Sequence, residues 1–193
     1  MLQALRVPPT TQTLGAVELT SIAQGYRITD VMMKKAPCLL LEARAYCPGK
    51  FLVVVSGDLA SVEESVQAAI DFSASSMFAW LLIPDVEQQV VAAINRRTHL
   101  DAVETVGVVE SFSAAAILDA ANAAAKTAEV TIESVNLLQG LGGKAYALFA
   151  GDLTDVQAAV AAATTRIPAD MRIAEEVIPR FSSDIVPFLP GVE

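Results

Sequence analysis

From Leu14 onward the chain alternates short apolar runs with longer stretches in which apolar residues recur every three or four positions. The first pattern reads as strand and the second as amphipathic helix. "GAVEL" is a short strand. "SIAQGYRITDVMMKKA" is a helix in which Ile22, Tyr26, Val31 and Met32 share a face and Ser21 is the N-cap. "CLLLEARAY" is a second strand, "CPGK" a turn, and "FLVVVSG" the returning strand of a hairpin. Asp58 then caps "LASVEESVQAAIDFSAS", a helix whose Leu59, Val62, Val66 and Ile70 form one stripe. "MFAWLLI", closed by Pro84, is a last strand.

The same order comes round again. Gly15, Val17, Glu18, Ser21, Ala23, Lys34 and Ala36 match Gly107, Val109, Glu110, Ser113, Ala115, Lys126 and Ala128 at one constant offset. "GKFLVVVSGDLASVEESVQAA" from Gly49 parallels "GKAYALFAGDLTDVQAAVAAA" from Gly143, and "LLIPDVEQQVVAAI" parallels "EVIPRFSSDIVPFL". The second copy carries extra residues in the loop before its Gly-Lys. The repeat is of domain size, far longer than the unit of a solenoid. Each copy runs β-α-β-β-α-β, the split βαβ pattern of ferredoxin-like folds, so the class is α+β in tandem. The expected organisation is an N-terminal extension over 1–13, a first domain over 14–97, a polar linker over 98–105 and a second domain over 106–193.

Composition narrows the function classes. The chain has 193 residues, 53% hydrophobic and 18% charged, which describes a compact protein with much apolar surface to bury. A net charge of −9 argues against nucleic acid as a partner, because phosphate binding needs clustered Lys and Arg. No apolar run approaches a membrane span, and "MLQALRVPPTTQT" is too polar and proline-rich for a secretory signal. Two cysteines read as reduced thiols in a cytosolic protein rather than as a disulfide framework.

The doubled pattern "GAVELTSIAQGYRITDVMMKKA", a loop ending in Gly-Lys, and "VVVSGDLASVEESVQAA" resembles the shell-protein domain of bacterial microcompartments. The resemblance covers about Leu14 to Leu189, twice over, and neither copy is circularly permuted, since both open with the Gly-x-Val-Glu strand. It implies a structural protein: a homotrimer in which three chains of two domains make a pseudo-hexameric tile that packs edge to edge with other shell proteins. It places Lys34 and Lys126, late in the first helix of each copy, and Arg180 of "VIPRF" at the tile edge. Copy one has Asp85 where copy two has Arg180, so the two half-edges differ in chemistry.

In such tiles the turn between the second and third strands points at the symmetry axis. Cys47, Pro48, Gly49 and Lys50 from copy one, with Gly140, Leu141, Gly142, Gly143 and Lys144 from copy two, are therefore expected to line the pore. "CPGKF" is also similar to a pore loop in this family that holds a [4Fe-4S] cluster on the trimer axis. The resemblance implies three Cys47 thiolates as ligands, with backbone N–H groups of Gly49 and Lys50 directed at the sulfurs and an encapsulated redox enzyme as electron partner. Cys38 opens an apolar strand and is expected to be a buried small hydrophobe. His99 falls in the linker and is expected to be solvated.

Two other classes compete. An enzyme would need a catalytic constellation, but no acid pair, Ser-His-Asp set or phosphate loop is present; "GLGGK" lacks the hydroxyl residue after its lysine and the following helix. A trimeric sensor would bind a metabolite between the repeats and remain a discrete oligomer, whereas a tile should form sheets.

Overall fold

The computed structural model describes residues 12–73, 75–94, 104–137 and 142–185. They form two compact units that divide between Val86 and Glu87. No described helix is long and apolar enough to cross a membrane.

The first unit contains β1 (Thr13–Leu19), α1 (Ile22–Lys35), β2 (Leu39–Tyr46), β3 (Lys50–Gly57), α2 (Leu59–Phe72) and β4 (Met77–Pro84). Its sheet has the order β2-β3-β1-β4 with every pair antiparallel, as a split βαβ chain requires. The expected caps form. The Ser21 side chain accepts from the Gln24 N–H at 3.3 Å, and Asp58 Oδ1 accepts from the Ser61 N–H at 2.9 Å. Val17, Leu19, Phe51, Val53 and Val55 from the sheet meet Ile28, Met32, Val62, Val66 and Ala69 from the helices in one core.

The buried face of α1 is not the one the spacing predicts. Gly25, Ile28 and Met32 face the sheet, while Ile22 and Tyr26 are exposed. The cause is Phe51: its ring fills the space a Cβ on Gly25 would occupy. The helix therefore sits on its glycine, and the Tyr26 ring meets Phe51 edge-on, with centroids 4.9 Å apart. In α2 the stripe is Val62, Val66 and Ala69, and Leu59 in the first turn is exposed.

The second unit contains α3 (Gln88–Ala93), β5 (Thr105–Ser111), α4 (Ala114–Thr127), β6 (Thr131–Leu137), β7 (Ala145–Gly151), α5 (Leu153–Arg166) and β8 (Arg172–Pro179). The sheet order β6-β7-β5-β8 repeats that of the first unit in the same chain order. The repeated glycines Gly15 and Gly107 have one physical cause. A Cβ on Gly15 would stand 2.7 Å from Val66 and 2.8 Å from Val62; on Gly107 it would stand 2.6 Å from Val160 and 2.8 Å from Val156. Each glycine lets the second long helix of its unit press directly on the first strand.

Residues 87–94, read from sequence as the end of the first domain, pack within the second unit. Val90, Val91 and Ala93 are buried there. The Glu87 N–H donates to Asn122 Oδ1 on α4, the Ile132 N–H donates to Gln89 Oε1, each at 3.0 Å, and Ile94 forms a parallel bridge with Val135. The first strand begins at Thr13, one residue inside the expected extension. Most of that extension and of the linker lies outside the described residues.

Candidate functional site

The tip of the β2–β3 hairpin holds the exposed thiol. Tyr46 pairs with Lys50 across the ladder, and the Gly49 N–H donates to the Tyr46 carbonyl at 2.8 Å, closing the turn. Cys47, Pro48 and Gly49 are exposed at its crest. The Cys47–Pro48 peptide is cis, and Gly49 has φ +91°, a conformation that disfavours any side chain. No atom lies within 4 Å of where a Gly49 Cβ would stand, so the demand for glycine comes from the backbone and not from crowding. Because the Gly49 N–H is committed to Tyr46, it is removed from the donors expected for cluster sulfurs.

What holds this tip lies beneath it. Glu18, the last residue but one of β1, is fully buried. The Tyr46 hydroxyl donates to its Oε2 at 2.9 Å. Lys50 folds back from the turn until its Nζ is 4.0 Å from the same oxygen and 3.0 Å from the centroid of the Phe78 ring, with 15% of its side chain exposed. Burial lowers the Lys50 pKa, and the Glu18 charge opposes that shift. The Tyr46 phenol is pushed well above its ordinary value, first by burial and then by the Glu18 charge and hydrogen bond. The turn is thus tied at both ends, Tyr46 and Lys50, to one buried carboxylate.

The second unit repeats the anchor. Gly142 and Gly143 have φ +62° and +87°, and Lys144 Nζ lies 2.9 Å from Glu110 Oε1. Gly143-Lys144 and Gly49-Lys50 are therefore the same device: a glycine that makes the turn and a lysine that ties it to the first strand's glutamate. Gly140 and Leu141 lie outside the described residues. The sequence marks the lysines as pore residues and Glu18 with Glu110 as a repeated pair, but it assigns no role at the tip to Glu18, Tyr46, Phe78 or Glu110. The available signal was an acid inside an apolar strand, present in both "GAVEL" and "GVVES".

Among the described residues no group of three or more His, Cys, Asp or Glu side chains is placed to hold a metal ion. Cys38 is occupied otherwise. Its Sγ lies 3.2 Å from Ser65 Oγ, which donates to the Met32 carbonyl at 3.0 Å, and burial pushes the thiol pKa up. A thiol so placed resists becoming the reactive thiolate. His99 lies outside the described residues.

The expected edge residues sit on the surface of their own units. Lys34, in the last turn of α1, has a 75% exposed side chain and lies 2.7 Å from Asp30 Oδ2. Lys126 occupies the matching exposed position in α4. Arg180 follows β8 with φ +52°, and Asp85 follows β4 with φ +53°, so both strands end in the same backbone turn despite opposite charges.

A split βαβ unit, present twice in direct order with a glutamate-tied hairpin tip, matches a known domain: the BMC domain model covers residues 13–86 and 105–181. The chain belongs to that family, the structural shell proteins of bacterial microcompartments, and its role is structural rather than enzymatic. It is 36% identical over 170 residues to the bacterial microcompartment shell protein PduT of Citrobacter freundii, covering 88% of this chain and 92% of that protein. The crystal structure of a microcompartment protein from Desulfitobacterium hafniense DCB superposes with a TM-score of 0.80 at 36% identity, covering 91% of this chain and 98% of that one. A fused permuted hexameric shell protein of the RMM microcompartment, with a TM-score of 0.60 at 18% identity over 83% of this chain and 85% of that one, shares the fold alone.

Proposed function

We propose that three copies close into a ring of six shell domains, and that the β2–β3 and β6–β7 turns surround its central pore. The observation that supports this reading is the position of Cys47: an exposed thiol at the crest of a turn whose flanks are tied to a buried carboxylate. A closed three-fold ring converts one such thiol per chain into three that converge on an axis. Three converging thiolates suit a [4Fe-4S] cluster, with a small exogenous ligand on the remaining iron. In the bound state that group supplies one-electron transfer. The chain's own residues hold the thiol: Gly49 sets the turn, Tyr46 and Lys50 fix its two ends, and Lys144 with Glu110 fixes the intervening loop. Other shell proteins meet the ring along edges carrying Lys34, Lys126 and Arg180, and an encapsulated redox enzyme is the electron partner.

Protein purified without oxygen, with iron and sulfide supplied, should sediment as a trimer and absorb broadly in the blue. Cys47→Ser should bleach it and keep the trimer; Cys38→Ser should leave the colour. A monomer or dimer at micromolar concentration refutes the ring. A colourless trimer refutes the cluster and leaves passage of a small solute through the pore as the function.

A further inference from the structure

The segment that follows the first sheet and the segment that follows the second begin alike. "PDVEQQVVAAI" from Pro84 aligns with "PRFSSDIVPFL" from Pro179 without a gap. After each proline comes a residue of positive φ, Asp85 at +53° and Arg180 at +52°. The next N–H returns to the start of its own sheet: Val86 to the Gln12 carbonyl at 3.0 Å, and Phe181 to the Glu104 carbonyl at 3.1 Å. One helical turn then opens in each, Val90 N–H to the Glu87 carbonyl and Ile185 N–H to the Ser182 carbonyl, both at 3.0 Å. From this point the surroundings diverge. Val90 is fully buried on β6 and α4, whereas Ile185, its counterpart, is 47% exposed.

The surface that α3 occupies in the second unit has a counterpart in the first, and the described residues of that counterpart are exposed or half-buried. At matched positions Ala114 and Leu118 of α4 are fully buried, while Ile22 and Tyr26 of α1 are 42% and 65% exposed. Ile132 and Val135 of β6 are buried, while Leu40 and Ala43 of β2 are only half-buried. We infer that the C-terminal segment from Ser182 to Leu189 of a second copy docks on the α1–β2 face of the first unit, in the register that 87–94 uses on the second. This rests on the ring proposed above and adds the residues that close it.

The chemistry of the matched positions favours that occupant. Asp30 stands where Asn122 accepts the Glu87 N–H, so its carboxylate is placed to accept the Ser182 N–H of the second copy. Asp184 stands where Gln89 accepts the Ile132 N–H, so it faces the Leu40 N–H. Ile185, Val186, Phe188 and Leu189 replace Val90, Val91, Ala93 and Ile94, apolar for apolar. Pro187 replaces Ala92 and removes one helical N–H, so the shared element is the first turn and the apolar register, not the whole helix. Ser182 to Ile185 are exposed and β2 is half-buried, so both described surfaces have area left to bury against a second copy. Docking on another copy is a heterologous contact, and repetition around a three-fold axis closes it.

Disulfide trapping reads the register directly. Ala43 and Leu189 match Val135 and Ile94, the bridged pair of the second unit. In a Cys38→Ser, Cys47→Ser background, full-length chains carrying Ala43→Cys or Leu189→Cys are co-expressed with different tags and sedimented. A disulfide between the two tags, absent from either variant alone, is the expected result. A trimer that forms no such link overturns the docking and leaves the ring standing; a monomer overturns the ring itself. Amide exchange on the unmodified trimer gives an independent reading. Leu40–Arg44 should be as protected as Ile132–Asn136, and Ile185→Asp should speed exchange at the former by about tenfold or more while sparing the latter. Fast exchange at Leu40–Arg44 in the wild-type trimer refutes the inference.

Discussion

The anchor under the hairpin tip can be broken by one oxygen atom. Tyr46 donates to Glu18 Oε2 at 2.9 Å, and Glu18 has no exposed surface. Tyr46→Phe keeps the ring and removes a donor from a buried carboxylate. A hydrogen bond to a charged group contributes about 1.5–3 kcal/mol, and leaving a buried acceptor short of partners carries the desolvation penalty as well. Lys50 limits the loss, since its ammonium already lies 4.0 Å from the same oxygen and can move closer. The expected destabilisation is therefore about 2 kcal/mol. Urea unfolding at fixed protomer concentration measures it, because dissociation of an oligomer would otherwise shift the midpoint. Glu63→Gln is the control: Glu63 is exposed on α2, and its change should alter stability by less than about 0.5 kcal/mol. A double-mutant cycle assigns the effect to the pair, since Tyr46→Phe should cost clearly less in a Glu18→Gln background. If Tyr46→Phe unfolds within about 0.5 kcal/mol of wild type, the carboxylate is satisfied without the phenol and the anchor is misassigned.

Three further outcomes rest on buried and exposed groups elsewhere in the two units. Burial raises the Glu133 pKa to about 7, and its Oε2 has no hydrogen-bond partner among the described residues. The folded state then binds more protons than the unfolded state between about pH 4.5 and 7, so wild-type stability falls as pH rises through that window; Glu133→Gln should remove the fall and be more stable at pH 8 by about 2 kcal/mol. Gly107→Ala drives a methyl group to 2.6 Å from Val160 and should destabilise by about 1–3 kcal/mol in thermal unfolding; a neutral result means that α5 shifts freely off β5. Lys34→Ala and Arg180→Ala should each change stability by less than about 0.5 kcal/mol while reducing sheet formation seen by electron microscopy; unfolding in either variant would assign the residue to the interior.

The element order was legible because periodicity switches cleanly between strand and helix, and because the chain states the pattern twice. Ser21 and Asp58 cap helices as read, since capping depends on a few consecutive residues. The rotation of α1 was not legible. It is set by Phe51, far along the chain, whose ring requires Gly25 above it. Spacing within a helix identifies apolar residues but not which of two adjacent stripes a distant ring will meet. The tip of the candidate site was visible in "CPGK", whereas its support was not, because Glu18, Tyr46 and Phe78 come together only when β1, β2 and β4 take their places in the sheet. The destination of residues 87–94 was equally hidden: they rhyme with the tail of the second copy and read as the end of the first domain, yet they pack on β6 and α4.

Duplication inside one chain separates two kinds of constraint. Apart from the exposed lysines Lys34 and Lys126, the matched positions described above serve contacts that each unit makes within itself. Gly15 and Gly107 admit a helix to a strand, and Glu18 with Lys50 and Glu110 with Lys144 tie a turn to a sheet. Three differences between the copies fall where the proposed ring would bring a unit against something outside itself: Cys47 against the glycine-rich second loop, Asp85 against Arg180, and the bulky α1 face of Ile22 and Tyr26 against the alanine-rich α4. A hexamer of identical domains would set six thiols around its axis. A chain of two domains can keep the fold in both, place a thiol in one, and set three around the opening. On this reasoning, substitutions at these internal shared positions should lower stability in either unit alike, while substitutions at the differing positions should alter assembly and pore chemistry and leave each unit folded.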